Sequence, residues 1–129
     1  MPEPGTFMWN QLVTDDQGAA GVFYFELFGW KRNEIDGGPL GTYTVFQRGA
    51  QDVAGMMNPT ARSYGHSPPP RWTAYIAVEN TDAVAERVTE LGGTILEPPH
   101  DIPGVGRVCM FEDPVNALIY VLQPATPQG

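Results

Sequence analysis

One pattern of hydrophobic and polar positions occurs twice along the chain. It covers LVTDDQGAAGVFYFELFGW (residues 12–30) and IAVENTDAVAERVTELGGT (residues 76–94). Each copy runs from an apolar strand through a cluster of Asp, Asn or Thr into a helical stretch and stops at glycine. The stops, Gly29 and Gly92, lie 63 positions apart. The pattern therefore predicts two copies of one structural unit.

Both helices carry start and stop signals. Asp16 can cap the free N–H groups of the first helix, and Asn80 or Thr81 can cap the second. Gly29 and the pair Gly92-Gly93 favour the left-handed backbone that ends a helix. Apolar residues at i, i+3/i+4 and i+7 predict one buried stripe on each helix: Ala20, Phe23 and Leu27 on the first, and Val84, Val88 and Leu91 on the second.

Three predicted strands follow each helix, at residues 30–36, 40–49 and 52–58 and at residues 94–98, 105–112 and 117–123. The chain is then one α+β domain of residues 1–129, made of tandem βαβββ modules. Module 1 covers about 6–58, a Pro- and Gly-rich linker covers 59–70, and module 2 covers about 71–124. The two modules would form a curved mixed sheet with helices on one face and a concave ligand cavity on the other.

Composition excludes several classes of function. Fifteen acidic against seven basic residues give a net charge of −8, which argues against binding nucleic acid. The single cysteine, Cys109, excludes an intrachain disulfide. The start MPEPGTFMWNQL lacks the basic and apolar regions of a signal peptide, and no run approaches the ~20 apolar residues that span a bilayer. We therefore expect a cytoplasmic protein without membrane contact.

Three motifs, in this order, resemble a known superfamily. They are DD…FYFELFGW after the first strand, ELGGTI after the second helix, and the closing FEDPVNALIYVLQP. Together they resemble the vicinal oxygen chelate superfamily, which includes glyoxalase I, extradiol dioxygenases, and bleomycin and fosfomycin resistance proteins. PPHDIPGVGRVCMFEDP (98–114) is similar to a subgroup described as glyoxalase-like or hydroxylase-like. The resemblance implies the tandem fold. It also implies a homodimer, because superfamily members of this size commonly form dimers.

The resemblance also locates the positions of metal ligands. Metal-dependent members hold their ion with His and Glu side chains on the concave face, and the matching positions here are Trp9, Met56, Thr73 and Tyr120. Indole, thioether, hydroxyl and phenol are not the donors that zinc, nickel, iron or manganese prefer. We therefore expect no metal and no other cofactor at these positions.

Strand alternation predicts the lining of the cavity. If Ala74, Ile76 and Val78 face the helices, Trp9, Gln11 and Tyr75 point into the cavity with Met56 and Tyr120. These side chains either line an aromatic pocket with a few polar groups or fill the concavity themselves.

Arg107 completes the predicted ligand-binding set. It could bind a ligand carboxylate or phosphate with its forked donors. Alternatively, it forms an ion pair with an acidic residue such as Asp101 or Glu112.

Cys109 and two histidines carry weaker hypotheses. Cys109 alternates with Arg107 and is either a buried hydrophobe or, with an adjacent base, a nucleophile. His66 and His100 lie in Pro-rich segments and are either surface residues or members of a rebuilt metal site.

Three functions remain open. The leading hypothesis is a metal-free glyoxalase-like protein that binds a small aromatic or amphipathic molecule. The first alternative is a metal-dependent isomerase or dioxygenase that recruits His66, His100, Glu79 or Asp113. The second is a bleomycin-resistance-type protein that sequesters a cationic drug, which the acidic charge would suit.

Overall fold

The computed structural model describes residues 3–36, 41–59, 70–102 and 105–125. The elements of the first module are β1 (Phe7–Val13), α1 (Gln17–Phe28), β2 (Lys31–Asp36), β3 (Thr42–Arg48) and β4 (Gln51–Met57). Those of the second are β5 (Arg71–Ala77), α2 (Thr81–Glu90), β6 (Thr94–Ile102), β7 (Gly106–Glu112) and β8 (Leu118–Pro124). The predicted order, βαβββ twice, is confirmed. Most of the predicted linker 59–70, with His66, lies outside the described residues.

The chain divides into two compact units. One unit is Trp9–Thr73, and the other contains the described residues before and after it. Within the first, the strand order is β2-β3-β4-β1, with β1 parallel to β4 and the other pairs antiparallel. Within the second, the order is β5-β8-β7-β6, with β5 parallel to β8. Each unit therefore contains a mixed sheet, as predicted.

The helix ends follow the local signals. Asp16 accepts a hydrogen bond from the backbone N–H of Ala19 at 3.0 Å, and Asn80 accepts one from Ala83 at 3.1 Å. Asn80, rather than Thr81, is therefore the cap of α2. Gly29 ends α1 with φ 77°, a left-handed conformation that costs glycine no steric strain.

The predicted buried stripe of α1 is confirmed at Ala20 and wrong at Phe23 and Leu27. Ala20 packs against the core together with Tyr24, whereas Phe23 and Leu27 are exposed. α1 has apolar residues on every side, so its hydrophobic period does not select the face that meets the sheet. On α2, Val88 is buried as predicted, whereas Leu91 lies at the helix end and is exposed.

The core of the Trp9–Thr73 unit lies between α1 and its sheet. Its buried members are Leu12, Phe46, Ala54 and Met56, with Tyr24 and Trp30 packed against them. No helix in the described part of the chain is long and apolar enough to cross a membrane.

Candidate functional site

A hydrogen-bonded chain of side chains lies on the sheet of the Trp9–Thr73 unit. The indole Nε1 of Trp9 donates to the Tyr43 hydroxyl at 2.9 Å, and that hydroxyl donates to Oε1 of Gln11 at 3.1 Å. Burial raises the pKa of the Tyr43 phenol, and the Trp9 hydrogen bond partly offsets that rise. The phenol therefore stays protonated and can keep donating to Gln11.

Gly55 makes room for this chain. A Cβ atom at Gly55 would collide with the Tyr43 hydroxyl and approach the Trp9 indole to 3.0 Å. Gly55 pairs with Gln11 across β1 and β4, so the two residues share a face. Trp9 and Gln11 therefore lie together, as predicted, but Tyr43 joins them. Tyr43 was not among the predicted site residues, although strand alternation places it on one face of β3 with Val45, opposite the buried Thr44 and Phe46.

The placement of Met56 beside Trp9 and Gln11 is wrong. Met56 pairs with Leu12, one position along from the Gln11–Gly55 pair, so it faces the opposite side of the sheet. There it is fully buried with Leu12 and Phe46 beneath α1. The prediction failed because a shift of one residue reverses the face of a strand side chain.

Thr73 stands at the second position that the resemblance matched to a metal ligand. Its side chain is buried, and its hydroxyl has no hydrogen-bond partner among the described residues. Within the described part of the chain, the hydroxyl is therefore a donor and acceptor without a partner.

An aromatic pair and a carboxylate meet in the other unit. Tyr75 and Tyr120 pair across β5 and β8, and their rings stack with 4.6 Å between centroids and 21° between planes. The Tyr120 hydroxyl donates to Oε2 of Glu97 at 3.5 Å. The exposed fractions are 3% for Tyr75 and 5% each for Glu97 and Tyr120.

Glu97 reaches this position through an irregularity in β6. Ile95 pairs with Phe111, yet Glu97 pairs with Met110, so β6 advances two residues while β7 advances one. This β-bulge places Glu97 on the face of Met110 and Tyr120, opposite to Ile95. Glu97 was not among the predicted site residues. The signal for it in the sequence is an acidic residue directly before Pro98-Pro99, because proline disrupts regular strand pairing.

Glu97 has the chemistry of a binding group. Among the described residues, its one hydrogen bond is the contact with Tyr120, which is at the upper limit of hydrogen-bond length. A buried carboxylate accepts several hydrogen bonds when it is fully satisfied. Within the described residues, Glu97 therefore keeps unused capacity to accept hydrogen bonds beside the stacked rings of Tyr75 and Tyr120.

Arg107 does not belong to this site. Arg107 lies three positions before Met110 on β7, so the two side chains point to opposite faces of the sheet. Met110 shares the face of Tyr120, with which it pairs, whereas Arg107 faces α2. Its guanidinium donates to both carboxylate oxygens of Asp82, at 2.8 and 3.1 Å, and to Asp101 at 3.2 Å.

These ion pairs perturb both partners. Hydrogen bonds from Arg107 hold the pKa of Asp82 below its ordinary value, and the two carboxylates raise the pKa of Arg107. The predicted ligand-binding role of Arg107 is thus replaced by its alternative, the ion pair with Asp101, to which Asp82 is added.

Cys109 is a buried hydrophobe rather than a nucleophile. Its side chain is fully buried on the same face as Arg107. Burial, with smaller contributions from the charges of Glu97 and Asp82, raises the pKa of the Cys109 thiol to about 11. At neutral pH the thiol is therefore protonated and unreactive.

Two of the other candidates for metal binding, His100 and Asp113, have structural contacts. His100 Nδ1 lies 2.9 Å from the backbone oxygen of Pro98. Asp113 accepts backbone hydrogen bonds from Val115 and Ala117 and so organises the β7–β8 turn. Within residues 3–36, 41–59, 70–102 and 105–125, no group of three or more His, Cys, Asp or Glu side chains could hold a metal ion.

An open aromatic cleft adjoins α1 in the Trp9–Thr73 unit. The cleft has a volume of about 480 Å³ and is lined by Asn10, Tyr24, Phe28, Trp30, Val53, Ala54 and Trp72. The Trp72 indole donates to the Tyr24 hydroxyl at 3.0 Å, which holds two of its walls together. This cleft was not predicted from the sequence, because its rings come from α1, from Trp30 just before β2, and from β5.

Curated relatives resemble this chain over almost its whole length. A protein of Mycobacterium tuberculosis called "Putative glyoxylase CFP32" is 35% identical over 126 residues, which are 98% of this chain and 47% of that protein. The anthracycline biosynthesis protein DnrV of Streptomyces peucetius is 33% identical over 136 residues, 98% of this chain and 50% of that protein. The chain thus spans about half the length of these relatives.

Solved structures share the fold. Methylmalonyl-CoA epimerase of Mycobacterium tuberculosis superposes with a TM-score of 0.66 at 16% identity, covering 98% of this chain and 93% of the epimerase. Homoprotocatechuate 2,3-dioxygenase of Brevibacterium fuscum gives 0.64 at 15% identity, covering 97% of this chain and 38% of that one. The sequence profile of a single family matches residues 6–121. This chain belongs to the Glyoxalase/Bleomycin resistance protein/Dioxygenase superfamily.

Proposed function

We propose that this protein binds a small aromatic or amphipathic molecule that carries a cationic or hydroxyl donor. Glu97 would accept the donor, and the stacked rings of Tyr75 and Tyr120 would contact the aromatic part. The carrying observation is the buried carboxylate of Glu97, which has one long hydrogen bond among the described residues. The proposal requires no metal and no cofactor.

Energetics support a role for Glu97 in binding. Removing a charged carboxylate from water costs several kcal/mol after relaxation, on the order of 3 or more. A hydrogen bond to a charged group returns about 1.5–3 kcal/mol when its geometry is good, and a 3.5 Å contact returns less. A ligand donor would offset the remaining cost.

The descriptions of two relatives support a ligand that combines an aromatic part with a donor group. DnrV of Streptomyces peucetius and DauV of Streptomyces sp. strain C5 are both described as anthracycline biosynthesis proteins, and each is 33% identical to this chain. Anthracyclines combine fused rings with an amino sugar, so they contain both an aromatic surface and a cationic donor. We therefore choose such a molecule as the first probe.

Trp9 and Gln11 form a separate proposed contact surface within their own unit. Their polar atoms are linked through Tyr43, which gives that face an aromatic surface with a polar edge. Binding there would be detected by a change in Trp9 fluorescence that the Trp9→Phe variant lacks.

The test compares two probes on three proteins. Isothermal titration with doxorubicin, which has an amino sugar, and with doxorubicinone, its aglycone, is carried out on wild type, Glu97→Gln and Glu79→Gln. Glu79 is an exposed acid in the same unit and serves as the matched control. We expect Glu97→Gln to weaken doxorubicin binding at least about tenfold and to leave doxorubicinone unchanged, because only the amine loses a charged acceptor.

Three results would overturn the proposal. The first is equal affinity of wild type and Glu97→Gln for doxorubicin. The second is the absence of binding and of thermal stabilisation across a wider panel of aromatic amines and phenols. The third concerns the control variant. If Glu79→Gln weakens binding as much as Glu97→Gln, the attraction comes from net charge and not from this site.

A second candidate is a metal-dependent glyoxalase-type reaction, which the description of the mycobacterial relative favours. Elemental analysis of protein purified without chelator separates it from the first proposal. A stoichiometric nickel, zinc, iron or manganese content would favour this candidate.

A further inference from the structure

We propose that a cleft between α1 and the start of β2 binds a small aromatic carboxylate, and that Arg32 binds its carboxylate group. This inference does not rest on the proposed function, because it concerns a different cleft and a ligand of opposite charge. The cleft, called the α1–β2 cleft, has a volume of about 450 Å³. Its lining residues are Val22, Phe25, Glu26, Trp30, Lys31 and Arg32.

Arg32 is a cation without a polar partner in the described part of the chain. Arg87 and Arg107 both contact acidic side chains, whereas Arg32 has no salt bridge and no hydrogen bond to a described residue. A guanidinium group presents several N–H donors in a planar fork that matches the two oxygens of a carboxylate. Arg32 is also exposed, so a ligand can reach these donors.

The fold holds the Arg32 side chain against α1. Arg32 pairs with Phe46 across β2 and β3, so it shares the face of Phe46, which is buried in the core beside α1. A Cβ atom at Gly21 would lie 2.5 Å from Nη1 and 2.6 Å from Cδ of Arg32. The arginine therefore occupies the space that a larger residue at position 21 would take.

Gly21 is unfavourable for the helix itself. Glycine in a helix interior is less stable than alanine, so helix formation alone does not favour it at this position. Its contribution is the room that it leaves for the Arg32 guanidinium. We infer that Gly21 acts as a positioning residue for Arg32.

The other side of the α1–β2 cleft is apolar. Val22 and Phe25 are 55% and 48% exposed, and Trp30 adds an indole ring. Clefts of roughly 300–1,000 Å³ that combine such walls with a few polar groups are typical small-molecule sites. An aromatic ring would contact Phe25 and Trp30 while its carboxylate reached Arg32.

Charge in the lining favours a monoanion. The lining contains two bases, Lys31 and Arg32, and one acid, Glu26, so its charges sum to +1 although the chain carries −8. Lys31 pairs with Gln47, one position away from the Arg32–Phe46 pair, so its side chain starts from the opposite face of the sheet. Arg32 is therefore the principal anion-binding group.

Acidic residues outside the lining oppose an anion. Glu34 lies on the face of Arg32 two positions along β2, and Asp15 and Asp16 directly precede α1. Asp16 lies about 9 Å along the helix axis from Val22. These charges would repel a dianion more strongly than a monoanion, which favours a carboxylate over a phosphate. Binding must then come from direct contact with Arg32 rather than from the charge of the whole protein.

The experiment is an NMR titration of the full, isotope-labelled chain with two probes. The first is β-naphthoate, and the second is β-naphthylmethanol, which has the same rings without the charge. In wild type we expect naphthoate to bind more tightly than the alcohol and to shift the backbone amide signals of Val22, Phe25 and Trp30. Arg32→Gln should weaken naphthoate binding at least about tenfold and change alcohol binding less than about twofold.

Arg87→Gln is the matched control. It removes the same charged group from the chain, but Arg87 is an exposed residue of α2 and does not line the α1–β2 cleft. Its affinity for both probes should stay within about twofold of wild type, because a distant exposed charge is screened by salt.

Gly21→Ala tests the position of Arg32 without removing its charge. Alanine favours the helix, and the guanidinium can move aside from the added methyl group, so this variant should fold. We expect at least about threefold weaker naphthoate binding and unchanged alcohol binding. Circular dichroism and thermal melting check the fold of each variant, and Gly21→Ala replaces Arg32→Gln if the latter unfolds.

Four results would overturn the proposal. The first is the absence of naphthoate-dependent shifts at the cleft amides up to about 10 mM. The second is equal naphthoate affinity in wild type and Arg32→Gln, which would mean that Arg32 only covers the helix. The third is an equal loss in Arg87→Gln, which would assign the effect to net charge. The fourth is unchanged naphthoate binding in Gly21→Ala, because the placement of the guanidinium would then be irrelevant.

Discussion

Ile95 and Glu97 lie two positions apart on one strand, yet their side chains point to opposite faces of the sheet. Regular alternation would place both on the same face. The β-bulge between them adds one extra residue to β6, so Glu97 pairs with Met110 and Ile95 pairs with the adjacent Phe111. Without this bulge, Glu97 would face α2 and the Tyr120 hydroxyl would lose its carboxylate. A backbone irregularity therefore creates the candidate site.

Glu97→Gln is expected to stabilise the ligand-free protein. The amide is uncharged and can still accept from Tyr120, so the cost of burying a charge disappears. We expect the free energy of unfolding in urea to rise by about 1 kcal/mol or more at pH 7. Glu79→Gln, at an exposed position, should stay within about 0.5 kcal/mol of wild type. A destabilised Glu97→Gln would show that the carboxylate is well satisfied in the fold.

Tyr120→Phe is expected to destabilise the protein by about 1–2 kcal/mol, because it removes a donor from a buried carboxylate. In the Glu97→Gln background the same substitution should cost less, since an unpaired amide is cheaper to bury than an unpaired charge. Urea denaturation of the four proteins of this double-mutant cycle gives the coupling energy. Additive effects would mean that the 3.5 Å contact contributes nothing.

Gly55→Ala is expected to displace Tyr43 and break its hydrogen bond with Trp9. The added methyl group would occupy the space of the phenol, which typically costs about 1–3 kcal/mol. The fluorescence emission of Trp9 should change at the same time, because its indole loses the Tyr43 hydroxyl as a hydrogen-bond partner. Gly18→Ala is the control: its Cβ meets only Asp16 Oδ1 at 3.7 Å, so it should be neutral or stabilising by up to about 1 kcal/mol. Unchanged fluorescence in Gly55→Ala would contradict the packing described here.

The Arg107–Asp82 pair should appear in a carboxyl titration by NMR. Because Arg107 lowers the pKa of Asp82, the Asp82 midpoint should fall below 3.8, and Arg107→Gln should return it toward that value. A lowered pKa adds stability above the unfolded value, and this contribution is lost as the pH falls through the folded pKa. The acid-unfolding curves of wild type and Arg107→Gln should therefore converge below about pH 3.8. An Asp82 midpoint that Arg107→Gln leaves unchanged would contradict this assignment.

The Cys109 thiol makes stability depend on alkaline pH. Its pKa is raised from 9.0 to about 11 in the fold, so its contribution is complete below pH 9 and is lost as the pH rises toward 11. Wild type should lose more stability than Cys109→Ala between pH 8 and pH 10.5, whatever the loss of packing in that variant. Equal losses would show that the thiol titrates normally in the folded protein.

The amino-acid sequence was sufficient for the order of the elements and for the ends of the helices, whereas the predicted strand 94–98 ends four residues before the observed end of β6 at Ile102. Caps such as Asp16 and stops such as Gly29 act on backbone atoms within a few residues, so a local pattern contains all the information needed. The repeat of this pattern over 63 positions then predicted the tandem βαβββ arrangement, and its motifs predicted the superfamily.

The faces of individual side chains depended on contacts between distant segments. Met56 went to the core, and Arg107 to the α2 side, because one position of strand register reverses a face. Phe23 and Leu27 remained exposed because an all-apolar helix has no preferred side until a sheet packs on it. Glu97 joined Tyr120 through a bulge that forms only when β6 pairs with β7. Local signals therefore determine which elements form, whereas pairing and packing determine which side chains meet.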